Sequence, residues 1–215
     1  MGTPDFSVPA LKALVEAGHQ VTAVVTQPDK PKGRGYKLVP PPVKELALAH
    51  QIPVFQPQKM RDGQALEILQ QLQPELIAVV AYGKLLPKEI LELPKYGCIN
   101  VHGSLLPKYR GAGPIQWSII DGEKTTGVTT MYMGEGLDNG DMILKKETPI
   151  GENETYGELH DRLAVIGAQA LVETVDLLEQ GKAPRKTGRR SFLLCADAGQ
   201  KDCKAGLCTA GNQAA

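Results

Sequence analysis

Residues 98–107 read Cys-Ile-Asn-Val-His-Gly-Ser-Leu-Leu-Pro, an apolar strand pattern that closes on polar side chains. Asn100 and His102 lie two positions apart, so both side chains project from the same side of a strand. About thirty residues on, a Gly-Leu-Asp sequence adds the carboxylate of Asp138. An amide can donate to an oxyanion, an imidazole can move a proton, and a carboxylate can orient the imidazole. These three group types are what the transfer of an acyl group to an amine requires.

Strands and helices alternate on both sides of this stretch. Apolar runs predict buried strands at 21–26, 76–80 and 98–102, and helical patterns occupy 7–17, 42–50 and 62–73. Two antiparallel strands are predicted at 126–133 and 142–150, joined by the loop of Asp138. A capping box is predicted at Thr155 and Glu158, at the start of a long helix that ends near Gly181. This order predicts an α/β protein with a doubly wound, mostly parallel sheet. Ligands of such sheets bind beyond the carboxyl ends of the strands, where Asn100 and His102 lie.

Composition restricts the class of protein. Of 215 residues, 42% are hydrophobic and 22% are charged, which is typical of a globular protein. No apolar run approaches the roughly 20 residues that span a bilayer, and the start has no basic region followed by an apolar core. The pattern therefore predicts a cytoplasmic protein without a membrane contact. Neither a phosphate-binding loop nor a GxGxxG sequence follows a strand, so no dinucleotide cofactor is indicated.

Three segments together resemble the folate-dependent formyltransferase superfamily. They are Asn-x-His-x-Ser-Leu-Leu-Pro at 100–107, Tyr-Arg-Gly-Ala-Gly-Pro at 109–114 and Gly-Leu-Asp-Asn-Gly-Asp at 136–141. Two more segments, Gly-Thr-Pro-Asp-Phe at 2–6 and the basic stretch at 27–35, resemble the branch that formylates the methionine of initiator tRNA. The resemblance covers residues 1 to about 184 and implies the formyltransferase fold for them.

The resemblance also implies a reaction and its residues. A formyl group would pass from 10-formyltetrahydrofolate to the α-amine of methionyl initiator tRNA, a step of translation initiation. Asn100, His102 and Asp138 match the catalytic set of the superfamily. The segment that contacts folate is matched by Ser104, Leu105, Leu106 and Pro107, and the loop that faces the tRNA acceptor end holds Arg34 and Lys37. No metal is required, and a monomer is expected.

Plainer interpretations exist for the same residues. His102 could be structural at a strand end, and Asp138 could be a turn residue with Asp141 as a rival carboxylate. Ser104 could cap a turn, and the leucines at 105 and 106 could belong to the core. The charges of the basic loop could simply be solvated. The combination of an amide, an imidazole and a carboxylate at these positions favours catalysis.

Both ends of the chain depart from the superfamily. Its members begin with a short apolar strand before Gly-Thr-Pro-Asp-Phe, and this strand is expected to be missing here. At the other end, its members continue into a linker and a small β-barrel domain that helps to hold tRNA. Residues 185–215 carry six basic and two acidic side chains and three of the four cysteines. They are predicted to be an unstructured, out-of-frame translation in place of those parts, so that the catalytic domain is 1–184.

Two hypotheses of different class follow. In the first, the chain is the catalytic domain of a transferase that formylates methionyl-tRNA. In the second, it is an inactive remnant that retains the active-site residues without a stable fold or a grip on tRNA. Within the first, an amine on a sugar or ribonucleotide is the alternative acceptor.

Overall fold

The computed structural model describes residues 1–32, 37–186 and 194–195. A 3₁₀ turn at Asp5–Ser7 precedes helix α1, and the helices are α1 (Val8–Glu16), α2 (Pro42–Ala49), α3 (Gln64–Leu72), α4 (Lys88–Leu91), α5 (Pro114–Ile120) and α6 (Tyr156–Glu179). The strands are β1 (Val24–Val25), β2 (Lys30–Lys32), β3 (Lys37–Val39), β4 (Val54–Phe55), β5 (Ile77–Val80), β6 (Cys98–His102), β7 (Arg110–Gly111), β8 (Thr125–Tyr132), β9 (Met142–Pro149) and β10 (Leu194–Cys195).

The sheet has a parallel half and an antiparallel half. Four strands lie in the order β5-β6-β8-β9, with β5 parallel to β6 and the other neighbours antiparallel. β1 and β4 form a separate parallel pair. The sheet is thus mixed, because the β8–β9 hairpin adds two antiparallel pairings to the parallel ones that βαβ connections produce.

Helices cover both faces of this sheet. On one face, α1 and α6 bury a core with Ile99, Val101 and Val128, and on the other, α3 and α4 pack near Ile77 and Val79. Because side chains alternate along β6, Asn100 and His102 lie on the face opposite Ile99 and Val101. The predicted doubly wound arrangement is confirmed, and it leaves these two polar side chains at the end of β6.

Helix α6 packs closely against the sheet because one of its inward-facing residues, Gly167, has no side chain. Leu159, Leu163, Leu171 and Val175 are buried at helical spacing on its inner side. A Cβ atom at Gly167 would lie 3.1 Å from Cγ1 of Val101, so the missing side chain permits the close approach. The helix therefore supports, from behind, the strand that carries Asn100 and His102.

The predicted elements are present, with some corrections at their ends. The strand expected at 21–26 is reduced to Val24–Val25. Ser7 precedes α1 but does not cap it, because its hydroxyl donates instead to the carbonyl oxygen of Val80 at 2.6 Å. The capping box of α6 is confirmed, with the Glu158 amide donating to the Thr155 hydroxyl and the Thr155 amide donating to the Glu158 carboxylate.

The cap of α6 gives a stability prediction. Replacing Thr155 by alanine should lower the free energy of unfolding by about 1 kcal/mol, because a helix amide loses its side-chain acceptor. Thr155→Ser retains that acceptor and should stay close to the unchanged chain. Urea denaturation followed by circular dichroism measures both, and equal stability of the alanine and serine variants would contradict the role of the cap.

Met1 and Gly2 lie between strand β1 of the separate parallel pair and strand β5 of the four-stranded sheet. The amide of Gly2 donates to Val25 at 3.1 Å, and the amide of Val80 donates to the carbonyl oxygen of Met1 at 2.9 Å. A cavity of about 390 Å³ lies beside them, lined mainly by apolar residues of the strands, α1 and α6. Asn100, His102 and Asp138 do not line this cavity, so it is separate from the candidate site.

The predicted tail falls largely on residues that lie outside the described ones, namely 187–193 and 196–215. Before them, Lys186 exchanges two backbone hydrogen bonds with Met142, so the described fold extends two residues past the predicted boundary at 184. Leu194–Cys195 pairs in parallel with Arg110–Gly111. The frame-shift origin of the tail stays a prediction. Among the described helices, none is both long and apolar enough to cross a membrane.

Candidate active site

Asp138 lies at the centre of the polar cluster at the end of β6. Its Oδ1 accepts from the Asn100 amide at 3.3 Å, and its Oδ2 lies 3.5 Å from Nδ1 of His102. Oδ2 also accepts from the backbone amide of Gly111 at 2.8 Å. One carboxylate therefore connects the two side chains of β6 with strand β7, so Asp138 contacts both of the other residues predicted to be catalytic.

The two nitrogen atoms of the His102 ring have different partners. Nε2 lies 2.7 Å from the backbone carbonyl oxygen of Tyr109, which can only accept a hydrogen bond. Nε2 therefore carries the proton in the neutral ring, and Nδ1 is the nitrogen that faces Asp138. In the charged ring both nitrogens carry a proton, so Nε2 still donates to the carbonyl and the ring forms an ion pair with the carboxylate. This arrangement lets Nδ1 gain and lose a proton while Nε2 keeps the ring in place.

The Asn100 amide has a second N–H donor besides the one that contacts Asp138. An amide NH₂ carries two hydrogens, and the contact with Asp138 uses one of them. The Asn100 side chain is only partly buried. Its second hydrogen is therefore available to a carbonyl oxygen that approaches the rim of the sheet, as an oxyanion donor requires.

The loop of Asp138 is held in a tight shape. Asp138 has a φ of +43°, a left-handed conformation that aspartate tolerates better than most residues. A Cβ atom at Gly136 would overlap the Asn139 side chain, so glycine permits the loop to close on itself. The carboxylate side chain is 15% exposed, against 7% for His102. Asp138 is therefore fixed by the loop yet still reachable from solvent.

The segment predicted to contact folate divides into two kinds of residue. The hydroxyl of Ser104 is buried and donates to the carbonyl oxygen of Lys108 at 2.7 Å, and Leu106 is 1% exposed. These two side chains shape the loop from inside. Leu105 and Pro107 are only partly buried and lie on its accessible side. The alternative for Ser104 is that it caps the following turn. Its hydroxyl lies within that turn, but it donates to a carbonyl oxygen rather than accepting from an amide.

Two residues that sequence reasoning missed hold the same loop. The hydroxyl of Thr129, opposite His102 on β8, donates to the carbonyl oxygen of Ser104 at 2.7 Å and accepts from the amide of Leu106 at 3.1 Å. The ammonium group of Lys145 donates to the Leu106 carbonyl oxygen. A threonine and a lysine are common on strands, so the sequence gives no signal that these two hold the loop.

The roles of Tyr109 and Gly111 could not be predicted from the sequence either, because both residues act through backbone atoms.

Of the two residues predicted to contact tRNA, Lys37 belongs to the described part of the β2–β3 hairpin. Arg34 lies outside the described residues, and Lys37 begins β3. The base of the hairpin is anchored, because the Lys44 ammonium donates to both oxygens of Asp29 at 2.9 Å and to Gln56 at 2.8 Å. Hydrogen bonds from Gln56 and Lys44 hold the pKa of Asp29 below its usual value. The hairpin thus has a fixed attachment beside the sheet.

Cys98 lies at the start of β6, on the same strand as Asn100 and His102. Its side chain is 2% exposed, and burial raises the pKa of the thiol to about 12. Because the thiolate is the reactive form, this cysteine is a packing residue. In residues 1–32, 37–186 and 194–195, no group of three histidine, cysteine or acidic side chains is placed to hold a metal ion.

The burial of Cys98 predicts its reactivity. At pH 8 only about one thiol in ten thousand would be ionised, so iodoacetamide should leave Cys98 unmodified in the native protein and alkylate it after unfolding. Peptide mapping by mass spectrometry reads this site separately from the other cysteines. Equal alkylation with and without denaturant would contradict the buried position.

Comparisons with known proteins identify the family of this chain. The sequence profile of the formyl transferase family matches residues 1–175. A methionyl-tRNA formyltransferase of Pelotomaculum thermopropionicum is 64% identical over 185 residues, which are 86% of this chain and 59% of that protein. One from Clostridioides difficile is 61% identical over 86% of this chain and 60% of its own length. The chain thus spans about three fifths of the length of these curated relatives.

A solved structure confirms the predicted fold type. The glycinamide ribonucleotide transformylase 1 of Symbiobacterium toebii superposes with a TM-score of 0.70 at 21% identity, covering 87% of this chain and 89% of that one. The α/β fold is therefore that of the formyltransferases. With residues 1–175 of 215 matched by the family profile, the chain belongs to the formyl transferase family.

Proposed function

We propose that this chain transfers a formyl group from 10-formyltetrahydrofolate to the α-amine of methionyl initiator tRNA, in the cytoplasm. The observation that carries the proposal is the contact of Asp138 with both Asn100 and His102 at the end of β6. The donor class is supported by a formyltransferase of Anoxybacillus kamchatkensis solved with tetrahydrofolate, 25% identical over 80% of this chain with a TM-score of 0.59. The acceptor is supported by the methionyl-tRNA formyltransferases that the chain resembles.

Asn100 would act on the oxygen of the formyl group. Attack by the neutral amine on the formyl carbon forms a tetrahedral intermediate with a negative oxygen. The free hydrogen of the Asn100 amide can donate to that oxygen, and the contact with Asp138 fixes the orientation of the amide. A donor that is oriented before the reaction stabilises the intermediate without reorganising during it.

His102 would move the proton that the reaction displaces. The attacking amine becomes positively charged and must lose a proton, and the departing folate nitrogen must gain one. Nδ1 of His102 can take the first and return one to the second, directly or through water. When Nδ1 is protonated, the Asp138 carboxylate 3.5 Å away stabilises the positive ring. The Tyr109 carbonyl holds Nε2 throughout.

The two substrates would approach from different elements. The accessible side of the 103–107 loop, with Leu105 and Pro107, offers an apolar surface beside the catalytic residues for the folate donor. The acceptor end of the tRNA would meet the basic β2–β3 hairpin, with Lys37 contacting phosphate, and the sequence assigns the same contact to Arg34. Such contacts would make tRNA binding weaker as salt concentration rises.

A formylation assay tests the proposal. The chain is incubated with 10-formyltetrahydrofolate and methionyl initiator tRNA, and formyl-methionine is separated after hydrolysis of the tRNA ester. The expected result is formylation by the unchanged chain and about a thousandfold slower reaction with His102→Ala. His50→Ala, at the exposed histidine that follows α2, is the matched control and should retain the full rate.

The same assay separates the alternatives. Amino-sugar nucleotides and glycinamide ribonucleotide replace the tRNA in parallel reactions. Formylation of one of these, without formylation of tRNA, would overturn the proposed acceptor. No transfer to any acceptor would show that this chain is an inactive remnant and would overturn the proposal as a whole.

A further inference from the structure

We infer that Tyr109 is a positioning residue for His102, held in place by the carboxylates of Asp121 and Glu123. The inference rests on the proposed function, and it adds residues to which no chemistry has been assigned. The backbone carbonyl oxygen of Tyr109 lies 2.7 Å from Nε2 of His102. Its phenol oxygen lies 2.9 Å from Oδ2 of Asp121 and 2.9 Å from Oε1 of Glu123. One residue thus joins the catalytic ring to a pair of acids on the far side of the loop.

The backbone of Tyr109 needs this support. Its φ is +56°, in the left-handed region that a bulky side chain seldom adopts. Such a conformation costs free energy and persists only where the surroundings fix it. The ring of Tyr109 is 5% exposed, and the Leu105 carbonyl oxygen closes the preceding turn by accepting from the Lys108 amide. Packing and the phenol contacts together hold the carbonyl oxygen toward His102.

The acids hold the phenol from two adjoining positions. Asp121 follows α5 as its C-terminal cap, and the Glu123 amide donates to the carbonyl oxygen of Ser118, so both acids are fixed to the end of that helix. The Lys108 ammonium lies 2.8 Å from Oε1 of Glu123 and offsets the excess negative charge. Burial, with the two carboxylates, raises the pKa of Tyr109 well above its usual value, so the phenol stays protonated as a donor.

The position of the Tyr109 carbonyl determines which nitrogen of the His102 ring carries the proton. While the Tyr109 carbonyl accepts from Nε2, the neutral ring keeps its proton there and offers Nδ1 to the reacting groups. If the carbonyl turned away, the neutral ring could place its proton on either nitrogen. The tautomer with Nδ1–H would donate to Asp138 and could no longer accept a proton at Nδ1. Tyr109 therefore sets which nitrogen exchanges protons, without touching the substrate.

Tyr109→Phe tests the inference because it removes only the phenol oxygen. The expected result is a fall in kcat of about tenfold with the KM for 10-formyltetrahydrofolate changed less than about twofold. Nitrogen-15 NMR of the His102 ring should show the Nε2–H tautomer in the unchanged protein and a mixture of tautomers in the variant. Tyr96→Phe removes a hydroxyl that accepts from the Lys95 ammonium at 3.1 Å, and it should change neither measurement.

The outcomes that overturn the inference are specific. An unchanged tautomer in Tyr109→Phe would do so, as would equal changes of kcat and KM. If that variant lacks a cooperative thermal transition, Asp121→Ala combined with Glu123→Ala removes both acceptors of the phenol, and it should give the same tautomer mixture. The NMR measurement does not require turnover. If the unchanged protein fails to formylate tRNA, the proposed function is overturned, but the role of Tyr109 in fixing the His102 tautomer can still be tested.

Discussion

Replacing Asp138 by asparagine should lower kcat for formyl transfer about a thousandfold while leaving the fold intact. The carboxylate accepts from Asn100 and from the Gly111 amide, and it faces Nδ1 of His102. An asparagine side chain of the same size must point its NH₂ group at one of these donors. It also carries no charge to stabilise a protonated ring. Single-turnover formylation with excess protein measures the rate.

Asp161→Asn is the matched control for this substitution. Asp161 lies on α6 with a side chain that is 84% exposed, so the loss of its charge should leave the rate unchanged. Thermal melting of both variants confirms that each folds as the unchanged chain does. A rate for Asp138→Asn within about tenfold of the unchanged chain would contradict the central place of this carboxylate.

Replacing Asn100 by alanine should lower kcat by about a hundredfold to a thousandfold, with little change in the KM for the folate donor. The donor hydrogen of Asn100 gains its full strength only when the formyl oxygen becomes negative, so its loss affects the transition state more than the bound substrate. Initial rates over a range of donor concentrations separate the two parameters.

Asn153→Ala, on the exposed turn before α6, is the control for the removal of an amide. It should leave both kcat and KM unchanged. A rise in KM for Asn100→Ala with an unchanged kcat would contradict the oxyanion role, because it would show that the amide binds the ground state and transition state equally well.

Much of the fold was predictable because the signals were local. The buried strand ending at His102, the β8–β9 hairpin and the capping box at Thr155 depend on residues close together in the chain. Where a distant partner competes, the prediction was wrong in detail. The Ser7 hydroxyl has the chemistry of a helix cap, but the carbonyl oxygen of Val80 lies within reach and takes its hydrogen bond.

In the candidate site, too, some residues were predictable from the sequence and others were not. Side-chain chemistry and a family resemblance led to Asn100, His102 and Asp138, and in the structure Asp138 contacts the other two. The sequence marked Tyr109 and Gly111 only as members of the segment at 109–114 and gave them no role, because a backbone carbonyl and a backbone amide are present at almost every position. Only the folded chain shows that these particular groups meet His102 and Asp138.

The most direct test of the site is a double-mutant cycle in single-turnover formylation. His102→Ala, Asp138→Asn and the double variant are compared with the unchanged chain. If the imidazole and the carboxylate work as one unit, the double variant should be about as slow as the slower single variant. A loss in the double variant equal to the product of the two single losses would contradict the account, since it would mean that the two side chains act independently.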